Sequence, residues 1–263
     1  MKFKKIGTII VSVLSLTLIL SACNNKEVNS LKRVQDANEL TVVGSGGYPP
    51  FNYINENGEV VGFDVDTGAA IAEKLGVELN YVTADWDGLT EGLRNKRYDG
   101  ILGSMAITEE RLEAVNFTTP YYYSGAQLIV RNDSGITDPS QMSGKKIAVT
   151  TGSNFVGDAE ALGATVLLYQ DDNATLMELI SGRVDGVITD RLVAINAIEE
   201  ISGGDSLELV GEILRLESMG IAVNKDDKEL LDELNKIIEE LHSDGTLKAI
   251  SEKWLNGNDV TVK

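Results

Sequence analysis

A six-residue segment occurs twice in this chain and constrains its fold strongly. Residues 97–102 read RYDGIL, and residues 183–188 read RVDGVI. Each segment follows a short stretch with leucine or isoleucine at i, i+4 spacing, which is typical of a helix. In each, a tight Asp-Gly turn leads into an apolar run. Both halves therefore predict the order helix, turn, buried strand, which favours two similar α/β units that face each other.

Short β-rich runs alternate with helical patterns throughout the chain. Strands are predicted at residues 40–43, 60–63, 77–82, 101–102, 145–149, 165–169, 187–188 and 207–210. Residues 65–75 have apolar positions at helical spacing, and Gly76 follows as a helix C-cap signal. This alternation predicts an α/β fold with mainly parallel sheets. Ligands of such sheets bind beyond the carboxyl ends of the strands.

The charge of the chain limits its partners. The 263 residues carry a formal net charge of −18, and the content of 43% hydrophobic residues is sufficient for a core in each of two units. A surface this acidic repels phosphates, so we expect no nucleic-acid partner. Cys23 is the only cysteine, which excludes an intrachain disulfide and a thiolate metal cluster. We expect neither a metal nor another cofactor.

The N-terminal segment has the pattern of an export signal. Three lysines within the first five residues precede the apolar run 6–20, which is short for a membrane span. Residues 20–23 read LSAC and resemble a bacterial lipobox. The resemblance implies a lipoprotein signal peptide at 1–22, acylation of Cys23, and a polar tether at 23–30 that holds the protein at the extracellular face of the membrane. The alternative is an uncleaved anchor helix that ends by chance in cysteine.

Arg111 occupies an unusual position at a predicted helix start. Thr108 is the expected N-cap, and a capping box would place Glu or Gln where this arginine stands. A cation in the first turn is unfavourable by up to about 1 kcal/mol. It is explained if an anion binds there, because the guanidinium and backbone N–H groups converge on one carboxylate. The alternative is a surface arginine paired with Glu110 or Glu113.

Two further segments follow predicted strands. Residues 150–154 (TTGSN) form a small-residue turn that can present N–H groups to an anion, although the segment lacks the lysine of a P-loop. Residues 44–47 (GSGG) are followed by Tyr48 and two prolines where a dinucleotide site would need a helix. Asp190 stands after the second repeat and is suited either to an ammonium group or, more simply, to capping a helix at 192–201. Tyr48 and Trp86 are candidate cleft walls or core residues.

Seven motifs in a fixed order resemble the polar amino-acid-binding family (family 3) of bacterial extracellular solute-binding proteins, which serve ABC importers. They are YPPF (48–51), GFDVD (62–66), WDGL (86–89), YDG (98–100), ITEER (107–111), NFTTPY (116–121) and GRVD (182–185). The resemblance extends from about residue 31 to 255. It implies a two-lobed periplasmic-binding-protein type II fold, with two mixed, mainly parallel sheets joined by hinge strands near 124–128 and 219–221. Lobe 1 would comprise 31–126 plus 220–263, and lobe 2 would comprise 127–219.

The same resemblance implies a binding function and a set of contacts. A free amino acid would bind between the lobes, and the closed, monomeric receptor would deliver it to a membrane permease. Arg111 would bind the α-carboxylate with Ser153 and Asn154, and Asp190 would bind the α-ammonium group. The main chain at Ser104 and Ala106 would assist, with Tyr48, Trp86 and Ser45 as the remaining predicted contacts.

Ser45 bears on the ligand side chain. Relatives that bind cationic ligands often carry an acid at this position, so its absence favours a neutral or polar ligand. Asp85 or Asp87 could replace that acid, which leaves a cationic ligand as the alternative.

Two other functions remain as alternatives. A few relatives resemble cyclohexadienyl dehydratases, and such chemistry needs a general acid or base in the cleft. His242, the only histidine, belongs to or follows the predicted helix 228–241 and is expected at the surface, so we expect a binding protein rather than an enzyme. A sensory domain is the third possibility and would typically need a membrane-spanning connection.

Overall fold

The computed structural model describes residues 29–263. The predicted signal peptide (1–22), the lipidation site Cys23 and residues 24–28 of the predicted tether lie outside the described residues. Ser30, assigned to the tether from sequence, begins the first helix, and Asn29 caps that helix by accepting a hydrogen bond from the Lys32 N–H (2.8 Å). Within the described part, no helix has the length and apolar content that a membrane span requires.

The helices and strands alternate in chain order. The helices are α1 (Ser30–Ala37), α2 (Phe63–Leu75), α3 (Leu89–Arg94), α4 (Glu109–Ala114), α5 (Phe155–Ala161), α6 (Asp172–Ile180), α7 (Arg191–Glu200), α8 (Lys228–Ser243) and α9 (Thr246–Trp254). The strands are β1 (Glu39–Gly44), β2 (Gly47–Tyr48), β3 (Asn52–Ile54), β4 (Val60–Val61), β5 (Glu78–Thr83), β6 (Gly100–Ile101), β7 (Asn116–Phe117), β8 (Tyr122–Arg131), β9 (Lys146–Thr150), β10 (Thr165–Tyr169), β11 (Gly186–Asp190), β12 (Leu207–Met219) and β13 (Ala222–Val223).

The first lobe is built on a sheet with the strand order β5-β1-β6-β13-β7. Four of its strands point the same way, and β13 is antiparallel to its neighbours β6 and β7. Apolar residues of α8 recur at helical spacing, and Leu230, Leu234 and Ile238 are buried in the same core as Phe63 and Ile71 of α2. The apolar faces of these helices thus cover the sheet.

The second lobe repeats this arrangement with the strand order β10-β9-β11-β8-β12. Here β8 is the strand that opposes the other four. Buried aliphatic residues from β9, β11 and the covering helices fill cores on this sheet, including Ile147, Val149, Val187 and Leu179. The prediction of two mixed, mainly parallel sheets is therefore confirmed.

Two long strands connect the lobes. β8 and β12 pair antiparallel, with Tyr122 opposite Met219 and Ser124 opposite Glu217. The predicted hinge segment 124–128 lies within β8, and the segment 219–221 begins at the last residue of β12. The lobe boundaries at 126/127 and 219/220 stay predictions.

A small sheet, β2-β3-β4, lies beside the first lobe and holds the residues around Tyr48. The strand predicted at 60–63 is shorter than expected, because it ends at Val61 and Phe63 already begins α2. Gly62 between them has φ of 133°, and a Cβ atom there would lie 2.2 Å from the carbonyl oxygen of Phe51. Only glycine fits this turn, which ends the strand.

Candidate functional site

A cavity of about 270 Å³ lies between the lobes. Its walls come from segments that follow the carboxyl ends of strands in both sheets, as expected for α/β ligand sites. Eight of the nine described residues predicted as ligand contacts line it: Ser45, Tyr48, Trp86, Ser104, Ala106, Arg111, Ser153 and Asn154. Asp190 is the one predicted contact that is not among the lining residues. The sequence prediction thus located the cavity, while the role of each residue stays a prediction.

Arg111 faces the cavity from the first turn of α4. Its backbone N–H donates to the hydroxyl of the N-cap Thr108 (3.2 Å), as predicted, and its Nη1 donates to the carbonyl oxygen of Ala106 (2.9 Å). The guanidinium lies 5.4 Å from the ring centroid of Trp86. Burial lowers the pKa of Arg111 from its ordinary value. The alternative pairing with Glu110 or Glu113 is wrong, since Arg111 forms no ion pair within residues 29–263.

The turn between β9 and α5 faces Arg111 from the second lobe. Gly152 has φ of 75°, which allows the tight turn that brings Ser153 and Asn154 to the cavity. The Ser153 hydroxyl is buried and has no hydrogen-bond partner among the described residues. The Asn154 side chain donates to Glu217. This turn therefore offers one hydroxyl group whose hydrogen-bonding capacity is not used inside the protein.

Asp190 is fully buried and is not among the residues that line the cavity. Its Oδ1 accepts a hydrogen bond from the Leu192 N–H (2.7 Å), so the capping role predicted for it is confirmed. Its Oδ2 has no partner in the part of the chain that the structure describes. Burial raises the pKa of Asp190 to about 7, and the nearby charge of Glu217 contributes to the rise. The buried Ser124 hydroxyl opposes this rise and has no hydrogen-bond partner of its own among the described residues, so it is one candidate donor to Oδ2 and a group bound in the cavity is another.

Asp172 lines the cavity and was not predicted from the sequence. It is buried, and it accepts hydrogen bonds from the hydroxyls of Thr150 (2.8 Å) and Thr189. Both carboxylate oxygens are therefore occupied by the protein. The sequence feature that could have identified Asp172 is its position after β10, at the carboxyl end of a strand in the same sheet as Thr150.

Glu217 also lines the cavity and was missed. Its Oε1 accepts from Arg215 Nη1 (2.7 Å) and from the Asn154 side chain. Its Oε2 is buried and has no partner among residues 29–263. In the sequence, Glu217 resembles the exposed acids Glu208 and Glu212 of the same segment, and only the pairing of β12 with β8 places it in the cleft.

A buried carboxylate links the cleft segments of the first lobe. Asp64 accepts hydrogen bonds from Asn52 (2.7 Å), Tyr121 (2.7 Å) and the hydroxyl of Ser104 (2.9 Å). The Asn52 side chain in turn accepts from the Gly46 N–H (3.0 Å). Burial raises the pKa of Asp64 to about 6, and the three donors oppose that rise. These bonds support Ser104, whose φ of 57° is left-handed.

The aromatic candidates form parts of the wall. Tyr48 stacks on Phe51 with ring centroids 5.8 Å apart, and Trp86 lies under the Arg111 guanidinium. Ser45 donates through its hydroxyl to the Asn52 side chain (3.2 Å). Each of these residues combines a cavity-facing surface with a contact to the first lobe.

The two lobes touch at the mouth of the cleft. The Gln170 side chain from the second lobe donates to the Asp85 carboxylate of the first lobe (3.1 Å). Nearby, Gly152 of the second lobe lies close to Asp87 of the first, since a Cβ atom added to this glycine would be 3.6 Å from the Cα atom of Asp87. The cleft is therefore bridged at its mouth.

The chemistry of the cavity is that of a binding site for a small dipolar molecule. One arginine, several carboxylates and hydroxyl groups surround it. His242 lies in α8, where its Nε2 is 3.1 Å from the carbonyl oxygen of Pro120. It is half-buried rather than at the surface as predicted, and it does not line the cavity. Across residues 29–263, no group of three or more His, Cys, Asp or Glu side chains is arranged to bind a metal.

Comparisons with known proteins agree with this geometry. The L-cystine-binding protein TcyJ of Escherichia coli (strain K12) is 35% identical over 235 residues, which cover 88% of this chain and 87% of the relative. A solved structure of a mutant of ArgBP from T. maritima is 34% identical, with a TM-score of 0.81, and covers 86% of this chain and 99% of that chain.

A third similar protein is the ancestral amino acid-binding protein AncCDT-1, a precursor of cyclohexadienyl dehydratase. Its structure is 29% identical, with a TM-score of 0.80, and covers 86% of this chain and 99% of that chain. The model of the bacterial extracellular solute-binding proteins, family 3, matches residues 40–257 of this chain. With the two mixed sheets and the cavity between them, this match establishes that the chain belongs to the bacterial extracellular solute-binding proteins, family 3.

Proposed function

We propose that this protein is an extracellular receptor that closes on one free amino acid and delivers it to the permease of an ABC importer. One observation carries the proposal. Arg111 has no ion-pair partner within residues 29–263, and it lines the same cavity as buried carboxylates. A zwitterion satisfies both sides of such a cavity at once. The names of TcyJ and ArgBP support an amino acid as the ligand class.

Arg111 is proposed to bind the α-carboxylate. Its guanidinium has donors beyond the one used by Ala106, and burial strengthens a charge-assisted hydrogen bond. Ser153 lies on the opposite lobe and supplies a hydroxyl donor for the same carboxylate. Asn154 completes this end of the site, while the main chain at Ser104 and Ala106 is proposed to assist at the α-ammonium end.

Asp190 is proposed to bind the α-ammonium group through Oδ2. The pKa of about 7 reflects the cost of a buried negative charge, and an ammonium group removes that cost. Because Arg111 belongs to the first lobe and Asp190 to the second, the ligand stabilises the closed arrangement.

The ligand side chain is proposed to be polar. Ser45 and Gln170 line the cavity and offer neutral hydrogen-bonding groups. A cationic side chain is the second candidate, because the acids Asp85 and Asp171 also line the cavity. An ancestral arginine-binding protein solved with arginine supports this second candidate, whereas an ancestral arginine-binding protein solved with glutamine supports the first.

The cellular setting is proposed from the N-terminal sequence. A signal peptide at residues 1–22 and acylation at Cys23 would hold a monomeric receptor at the outer face of the membrane. Metabolic labelling with a palmitate analogue tests this directly. Cys23→Ala should abolish labelling and release the protein into the medium.

A dehydratase activity is the alternative that the relationship to AncCDT-1 raises. Carboxylates line the cavity, yet the residues described as lining it include no histidine. We propose a binding protein, and incubation with prephenate or arogenate should yield no product. Turnover that Glu217→Gln abolishes would favour the enzyme.

Calorimetry tests the receptor function. Purified residues 24–263 are titrated with the twenty amino acids and cystine, in parallel with Arg111→Ala. At least one amino acid should bind wild-type protein with micromolar or tighter affinity, and the variant should lose about tenfold or more. Arg94→Ala, at an exposed arginine paired with Glu91, is the matched control. Absence of wild-type binding, or full affinity of Arg111→Ala, would contradict the proposal.

A further inference from the structure

Glu217 is held rigidly on the connecting strand β12. Its Oε1 accepts hydrogen bonds from Arg215 and Asn154, and its side chain is only 1% exposed. Its Oε2 has no partner in the described chain, although it belongs to a cavity-lining residue. A buried charged acceptor without a donor is more unfavourable than a neutral one in the same position. Such an oxygen at a cavity wall indicates a donor supplied from the cavity.

The charges around Glu217 favour a cationic donor. Arg215 is shared between Glu217 and Asp158, with Asp158 accepting two hydrogen bonds (3.1 and 2.6 Å). These three side chains, two acids and one arginine, carry a net charge of −1. Arg111 adds one positive charge to this group, and the carboxylates Asp172 and Asp190 add two negative charges, so the six side chains carry a formal net charge of −2. A ligand group that brings positive charge is therefore favoured over a neutral hydroxyl or amide.

The position of Glu217 identifies which cation this is. Glu217 lies opposite Ser124 of β8, two residues from Ala126, which lies opposite Asp190. It also lines the same cavity as Arg111. In keeping with this placement, its negative charge opposes the lowering of the pKa of Arg111 by burial and adds to the rise in pKa that burial causes at Asp190. In the proposed function, these two residues bind the α-carboxylate and the α-ammonium group, which are attached to the same carbon. Side-chain groups of a ligand would lie farther away, toward Asp85 and Gln170 at the cleft mouth.

We propose that Glu217 is a second carboxylate acceptor for the α-ammonium group, acting beside Asp190. The inference rests on the proposed function and deepens it. An ammonium group has three N–H donors, and Asp190 Oδ2 and Glu217 Oε2 accept two of them. Because Glu217 belongs to β12, this contact also joins the ligand to a strand that connects the lobes.

The test compares ligands with and without the α-ammonium group. Wild-type protein, Glu217→Gln and the control Asp158→Asn are titrated calorimetrically with L-glutamine, L-arginine and L-cystine. For each that binds, the analogue lacking the α-amino group is titrated as well. Glu217→Gln should weaken every amino acid that wild type binds by about tenfold or more, whatever its side chain. Asp158→Asn, which keeps the Glu217 carboxylate, should remain within about threefold of wild type.

The analogues separate a contact from a structural role. Removal of the α-amino group should cost wild-type protein about tenfold more affinity than it costs Glu217→Gln, as in a double-mutant cycle. Glu217→Met, an apolar side chain of similar length, replaces the glutamine variant if that variant does not fold. Three outcomes would overturn this inference and leave the receptor function intact. Glu217→Gln could bind amino acids as tightly as wild type, or removal of the α-amino group could cost both proteins the same affinity. The variant could also lose affinity only for ligands with cationic side chains. Failure of wild type to bind any amino acid would overturn the receptor function with it.

Discussion

Gln170 donates a hydrogen bond to Asp85 across the mouth of the cleft (3.1 Å). The two residues belong to different lobes and are 85 positions apart in the chain. This bond stabilises the closed arrangement without belonging to either lobe's core. It is exposed to solvent, so we expect its contribution to be small but measurable.

A negative charge introduced at Gln170 tests this closing contact. Gln170→Glu places a second carboxylate against Asp85 and should lower ligand affinity about threefold to tenfold, through repulsion that salt screens. Asp85→Asn in the same protein should restore affinity, because the repulsion is then removed. Calorimetry at low and high salt provides the measurement. Equal affinities for wild type and Gln170→Glu at low salt would show that the bond has no role in closure.

Substitution of Ser153 by alanine should weaken ligand binding without lowering the stability of the ligand-free protein. Ser153→Ala removes the hydroxyl proposed to bind the ligand carboxylate and should weaken binding about tenfold. The ligand-free variant should be as stable as wild type or slightly more stable, because a buried hydroxyl without a partner among the described residues is removed. Ser206 is a suitable control, since its hydroxyl donates to the Gly203 carbonyl (2.6 Å). Ser206→Ala should lower stability and leave affinity unchanged.

Ligand affinity should depend on pH through Asp190. The pKa of this carboxyl is about 7 in the ligand-free protein, and an ammonium group bound to it lowers that pKa. Below about pH 7 binding must therefore release a proton from Asp190. As the pH is lowered, ligand affinity should fall by up to about tenfold for each pH unit. Above pH 7 this dependence should disappear. Calorimetry in buffers with different ionisation enthalpies counts the protons, and zero release at about pH 6 would contradict the assignment.

Asp64 should affect folding stability with a defined sign. Its pKa of about 6 in the folded protein exceeds the ordinary unfolded value near 3.9. Its contribution to stability is therefore fully present below about pH 4 and is lost as the pH rises through about 6. Asp64→Asn cannot titrate, so its stability relative to wild type should rise by about 2 kcal/mol over that range. Urea unfolding of both proteins at several pH values measures the difference, and a constant difference would contradict the prediction.

The pattern of the fold could be read from the sequence because it depends on local periodicity. The repeat at 97–102 and 183–188 predicted the buried strands β6 and β11, and the alternation of elements predicted mainly parallel sheets. That the two sheets are mixed was implied by the family resemblance. The strand predicted at 60–63 was two residues too long, because local β propensity does not reveal that Gly62 lies against the Phe51 carbonyl oxygen. That contact joins residues that are distant along the backbone.

The candidate site was only partly visible in the sequence. Arg111 was recognisable because a cation is unfavourable at a helix N-terminus, and Asp190 because it follows a repeated strand. Asp172 was missed although it follows a predicted strand, and Glu217 was missed because its sequence neighbourhood does not differ from those of solvated acids. No local pattern distinguishes a buried glutamate from an exposed one on the same strand.

The sequence by itself determined the family, the order of helices and strands, and the segments that line the cavity, because these follow from motifs and from residue spacing. The tertiary structure decided which carboxylate oxygens already have donors and which, among residues 29–263, do not. It also decided that Glu217 lines the cavity while Asp190 is not among the lining residues. The reason is physical: burial and hydrogen-bond satisfaction depend on strands and helices from both lobes, and therefore on distances that spacing along the chain does not specify.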